Sequence, residues 1–75
     1  MTLDQLELGQ IARIGKIVAD KVFRRRLMDM GLTRGAPIEL LKVAPLGDPL
    51  EYRVRDYHLS LRKAEASLIE IEIEG

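Results

Sequence analysis

Two prolines, Pro45 and Pro49, bracket a Gly-Asp step in the run Ala44-Pro45-Leu46-Gly47-Asp48-Pro49. Each proline fixes its own φ, removes a backbone donor and biases the preceding residue toward extended geometry, so Ala44 and Asp48 are both kept out of the helical region. Gly47 supplies the backbone freedom that a tight reversal between them needs. Neither proline can sit centrally in a hydrogen-bonded strand, so the run lies outside a ladder or along its edge. The apolar stretches on either side, Ile38 to Val43 and Leu50 to Arg55, then read as strands joined by a rigid loop that carries Leu46.

A chain of 75 residues is expected to form one domain, 1–75, near the lower limit for a fold without cross-links. The usual per-residue scale gives it a net stability of about 4 to 11 kcal/mol. The absence of cysteine excludes a disulfide framework and a thiolate metal site. With no secretory signal, a reducing cytoplasmic location is expected. No apolar run approaches the roughly 18 to 20 residues of a membrane-spanning helix. Twelve basic side chains balance twelve acidic ones, so the global field that draws proteins to nucleic acid or anionic lipid is missing. Arg24 to Arg26 with Arg53, Arg55 and Arg62 would have to line a groove by themselves, without exposed aromatics. Direct nucleic-acid binding is therefore not expected.

Within Leu3 to Leu8, Leu6 and Leu8 are in phase at even spacing, and Gly9-Gln10 reads as a turn. A first strand is expected from about Ile11 to Val18, with Ala12 and Ile14 on one face and Gly15 marking a bulge or a close backbone approach. Asp20 is a good N-cap for a helix over 20–30, and Gly31 sits where a left-handed residue ends one. Phe23, Leu27 and Met30 form its buried stripe. The strand Ile38 to Val43 changes phase between Leu40 and Leu41, which suggests a bulge or a strand covered on both faces. Leu50, Tyr52 and Val54 alternate inward, then Tyr57, Leu59 and Leu61 do so again, giving a hairpin. A single helical turn over 63–67 precedes a last strand, Leu68 to Glu74, with Ile69, Ile71 and Ile73 inward and Glu70, Glu72 and Glu74 outward. Five short strands with a helix inserted after the first favour a small β-barrel, since closure removes exposed edges.

Catalytic and metal-binding chemistry is poorly served. Gly15-Lys16 is followed by Ile17 and preceded by none of the glycines of a phosphate-cradling loop. His58 is the only histidine and reads as an outward strand residue, short of a two-histidine, one-carboxylate site. The three glutamates of the last strand read as the solvated face of a half-buried strand. Ser60 and Ser67 belong to no recognisable nucleophile motif. The chain is not expected to be an enzyme, and no cofactor or metal is expected.

Taken in order, the run Arg26-Leu27-Met28-Asp29-Met30-Gly31-Leu32-Thr33-Arg34-Gly35, the loop Ala44 to Pro49 and the stretch Leu59-Ser60-Leu61-Arg62-Lys63-Ala64-Glu65-Ala66 resemble the FeoA family of small ferrous-iron-transport accessory proteins. The resemblance runs from about Leu8 to Ile73. It implies a mainly β fold, a five-stranded SH3-like barrel with the helix inserted after the first strand. It also implies a cytoplasmic protein that works with a membrane ferrous-iron transporter carrying a GTPase domain, and reaches the membrane only through that partner. A regulatory module that binds an iron-dependent repressor is the alternative, and self-association stays open. Asp56 stands where such proteins often have glycine in the hairpin, and aspartate tolerates the left-handed geometry expected there.

Contact surfaces are better supported than a catalytic site. Leu46 rides on a loop that loses little entropy on docking, and either contacts a partner or folds over one end of the barrel. Met28, flanked by Arg24 and Arg25, is a second candidate, because thioethers and arginines favour contact surfaces. The residues expected to meet a partner are therefore Pro45, Leu46, Gly47, Asp48, Pro49, Arg24, Arg25 and Met28. Arg62 is expected to pair with Glu51 or with an acidic partner surface.

Overall fold

The computed structural model describes residues 1–74; Gly75, the end of the expected domain, lies outside the described residues. Five antiparallel strands form one sheet: β1 (Ile11–Ile17), β2 (Pro37–Val43), β3 (Leu50–Val54), β4 (Tyr57–Leu61) and β5 (Ile69–Ile73). Their spatial order is β4-β3-β2-β1-β5. Helix α1 (Lys21–Asp29) follows β1, and a four-residue helix α2 (Lys63–Ala66) precedes β5. The closure expected of a small barrel is incomplete, because β4 and β5 do not pair and the sheet stays open between them.

Local chemistry accounts for most boundaries. The Asp20 carboxylate accepts from the Phe23 N–H at 2.8 Å and starts α1, satisfying one of the orphan donors of its first turn. Gly31, at φ +93°, ends it, and the Leu32 N–H then returns to the Leu27 carbonyl at 3.0 Å. The register of β2 on β3 slips between Leu40 and Lys42, and that of β1 on β5 between Ile14 and Ile17. These are the two bulges expected from the phase change and from Gly15.

Ala12, Ile14 and Ile17 of β1, Ile38 and Leu40 of β2, Tyr52 and Val54 of β3, and Ile69 and Ile71 of β5 fill the core with Leu27 and Leu32. Tyr52 is wholly buried and its hydroxyl donates to the Leu3 carbonyl at 3.1 Å. Burial, with a smaller contribution from the Asp4 charge, raises its phenol well above the usual range, so it stays a proton donor. That bond pins a 3-10 turn at Leu3–Gln5 against the barrel.

Several inward assignments are corrected. Met30 is exposed because the helix has already ended there, and Leu32 occupies the core beneath it. Leu3 and Leu6, bonded across the 3-10 turn, are the buried pair of the first segment, whereas Leu8 faces out. Tyr57 is 39% exposed and Ile73 is 40% exposed, since both lie at strand ends beyond the core. The Tyr57 hydroxyl sits over Gly31, 2.9 Å from where a β-carbon would be. In the hairpin the left-handed residue is Arg55, at φ +55°, and not Asp56. Its guanidinium donates to the Thr33 hydroxyl at 2.9 Å and anchors the turn over the helix exit.

Candidate partner-binding surface

The proline loop holds its shape through its own backbone and one carboxylate. The Gly47 N–H donates to the Ala44 carbonyl at 2.7 Å, and the Ala44 N–H to the Pro49 carbonyl at 3.1 Å. Asp48 turns the other way, its Oδ1 accepting from the Lys63 N–H at 2.9 Å. Lys63 opens α2, so Asp48 caps that helix from a distant part of the chain, beside the local bond from the Arg62 N–H to Glu65 Oε1. Leu46 is left 97% exposed at the tip. It does not fold over the barrel, because Pro45 and Gly47 turn it outward while Asp48 faces α2.

Loss of this capping bond in Asp48→Ala is expected to cost about 1 kcal/mol. Calorimetry should register that as a fall in Tm of about 4–8 °C for a domain of this size.

Against α2 and α1 lies an open apolar groove of about 970 Å³. The Val18 N–H donates to the Leu68 carbonyl at 2.7 Å, which joins the end of β1 to the start of β5 and sets these two side chains side by side. Ala19, with Val22 and Phe23 of α1 and Ala64 of α2, completes the apolar lining, and the charged Asp20, Lys21, Arg26 and Glu65 also line the groove. Val22 is 73% exposed, whereas Phe23 is half-buried and reaches down to the core. Such a groove takes aliphatic side chains.

The structure ties both the loop and the groove to α2, the loop through Lys63 and the groove through Ala64 and Glu65, and leaves the Met28 patch elsewhere. Val22 and Arg26 are four apart on the groove side of α1, whereas Arg24 and Met28, also four apart, share a different side. Arg24, Arg25 and Met28 are all exposed. The arginines of the sheet are partly engaged, Arg53 with Glu39 and Arg55 with Thr33. Glu51 lies 3.8 Å from the His58 ring rather than against Arg62. Among the described residues no group of three or more His, Asp or Glu side chains is placed to hold a metal ion, and no helix is long and apolar enough to cross a membrane.

Sequence reasoning missed the groove. Its signal was Val18 and Val22, apolar residues left over once the inward faces of β1 and α1 had been assigned.

Fold and surface together define a small SH3-like protein whose distinctive exposed features are a leucine-tipped loop and an apolar groove. The FeoA domain model matches residues 1–73, and the chain belongs to the FeoA family. Over 73 residues it is 41% identical to the Fe(2+) transport protein A/Fe(2+) transporter FeoB fusion protein of Porphyromonas gingivalis. That match takes in 97% of this chain and only 9% of the fusion protein. The solution NMR structure of the FeoA protein from Chlorobium tepidum superposes with a TM-score of 0.94 at 41% identity, covering 100% of this chain and 71% of that one. Stenotrophomonas maltophilia FeoA, solved in complex with zinc and described as an SH3 domain protein, gives 0.81 at 28% identity, over 96% and 89% of the two chains.

Proposed function

We propose that this protein is an accessory subunit of ferrous-iron uptake that docks on the cytosolic part of the membrane transporter and tunes its assembly or GTP-linked cycle. The observation that carries the reading is Leu46, an almost fully exposed leucine on a loop fixed by three hydrogen bonds. A leucine presented on a rigid loop buries its apolar surface on docking at little cost in ordering. The neighbouring groove offers the partner a matching recess, and the FeoA/FeoB fusion of the Porphyromonas gingivalis relative supports the choice of partner.

Retention of the purified protein on detergent-solubilised transporter, and on its isolated GTPase domain, tests the proposal. Leu46→Glu and Val22→Glu are expected to weaken retention at least about tenfold, a loss of about 1.4 kcal/mol. Their stability should stay within about 0.5 kcal/mol of the parent, as for other exposed positions. Met28→Glu is expected to weaken retention less, since the Met28 patch lies on another side of α1. No retention of the parent protein in any nucleotide state would overturn the proposal.

A further inference from the structure

Strand β4 has one paired edge and one open edge. A two-residue hairpin closes on a hydrogen-bonded pair, here Val54 and Tyr57, and bonded pairs alternate along an antiparallel ladder. Tyr57, Leu59 and Leu61 therefore direct their amides to β3, while those of His58 and Ser60 point away from it. Among the described residues no other backbone hydrogen bond reaches β4. The opposite end of the sheet is covered: the Met1 carbonyl accepts from the Ile71 N–H at 2.9 Å, and Thr2 bridges to Glu70. β4 carries none of the usual protections, having no lysine, no proline and no bulge.

We propose that this edge pairs antiparallel with β4 of a second copy of the chain, about a two-fold axis through Leu59. In that register His58 of each copy faces Ser60 of the other, and the outward amides of both residues are satisfied. One step further along, the same register sets Asp56 of each copy opposite Arg62 of the other, so the contact is complementary in charge to itself. Asp56 and Arg62 are both exposed, and neither makes an ion pair among the described residues. Sliding one strand by two residues, the smallest shift that keeps the outward amides facing, is worse in either direction. One shift needs Asp56 of the turn as a ladder residue, and the other sets His58 against Arg62. The chain carries no net charge, so two copies approach without long-range repulsion. The contact uses neither Leu46 nor any residue of the groove, and it stands whether or not the transporter is the partner.

Sedimentation equilibrium up to about 1 mM, the weak end of specific association, tests this together with amide hydrogen exchange. A reversible dimer is expected, with the His58 and Ser60 amides gaining protection as its fraction rises. Ser60→Pro removes a donor that faces away from β3, and should leave a folded monomer. Asp56→Arg and Arg62→Asp should each weaken the dimer about tenfold, and the double reversal should restore it. The charge reversals decide the matter even if Ser60→Pro fails to fold. A monomer at every concentration, or a dimer indifferent to both single reversals, would overturn the proposal.

Discussion

Replacing Leu27 with alanine is expected to remove about 3–5 kcal/mol of stability, a large part of the total available to a chain this short. Leu27 is the one residue of α1 that is buried, at 1% exposure. A nine-residue helix is marginal in water, and the cap at Asp20 contributes only about 1 kcal/mol. What holds α1 to the sheet is therefore Leu27, with Phe23 as a partial second anchor. Urea denaturation should show a large fall in the midpoint with an unchanged slope. Because Val22 and Phe23 form a wall of the groove, transporter retention should fall in step. A loss below about 0.5 kcal/mol, the scale of an ordinary surface change, would mean that Phe23 carries the helix instead.

Gly15→Val is expected to cost about 3 kcal/mol or more, the upper end of what overpacking does. A β-carbon at Gly15 would lie 3.0 Å from the Glu70 carbonyl oxygen and 3.5 Å from its carbon, both main-chain atoms of the adjoining strand. Neither can yield without disturbing the ladder of β1 on β5. Gly15 is not at positive φ, so the objection is one of space and not of torsion. The test is sharpened by Gly15→Ala. Where space allows, that exchange stabilises by about 0.4–1 kcal/mol through the unfolded state. A stabilised alanine variant would refute the close approach, whereas a net loss confirms it. The same slip in register carries Val18 toward Leu68, so damage at Gly15 should reach the groove as well.

These two positions also show what a sequence discloses. Gly15, the Asp20 cap, the Gly31 exit and the phase change at Leu40 are local features, governed by residues within a turn of one another, and each marked its element correctly. Inward and outward assignments failed where the period outran the element. Met30 keeps the helical spacing of Phe23 and Leu27 but falls just past the last turn. Tyr57 and Ile73 keep the strand alternation but lie beyond the depth of the core. Alternation fixes a direction, and only the assembled sheet decides whether anything lies in that direction. The left-handed residue of the hairpin is Arg55 and not Asp56, as in a two-residue turn whose one left-handed residue is the first of the pair.

The contact surface divides in the same way. Proline and glycine chemistry announced a rigid loop, and Leu46 was legible on it, although its outward direction was not. The groove was illegible because three separate parts of the chain meet there, the exit of β1 with the start of α1, the first turn of α2, and Leu68. Asp48 was read as a possible contact residue, yet its carboxylate is engaged at the start of α2.

That bond between Asp48 and the Lys63 amide makes the face behave like a caliper. One jaw is the leucine tip and the other is the recess, and the short helix that touches both ties them together. A partner that engages both jaws, as proposed for the transporter, would then be selected by distance as much as by composition. Lengthening the loop by one residue would shift the tip by up to about 3.5 Å while leaving every contacting side chain in place, and ligands matched to the original gap would be refused.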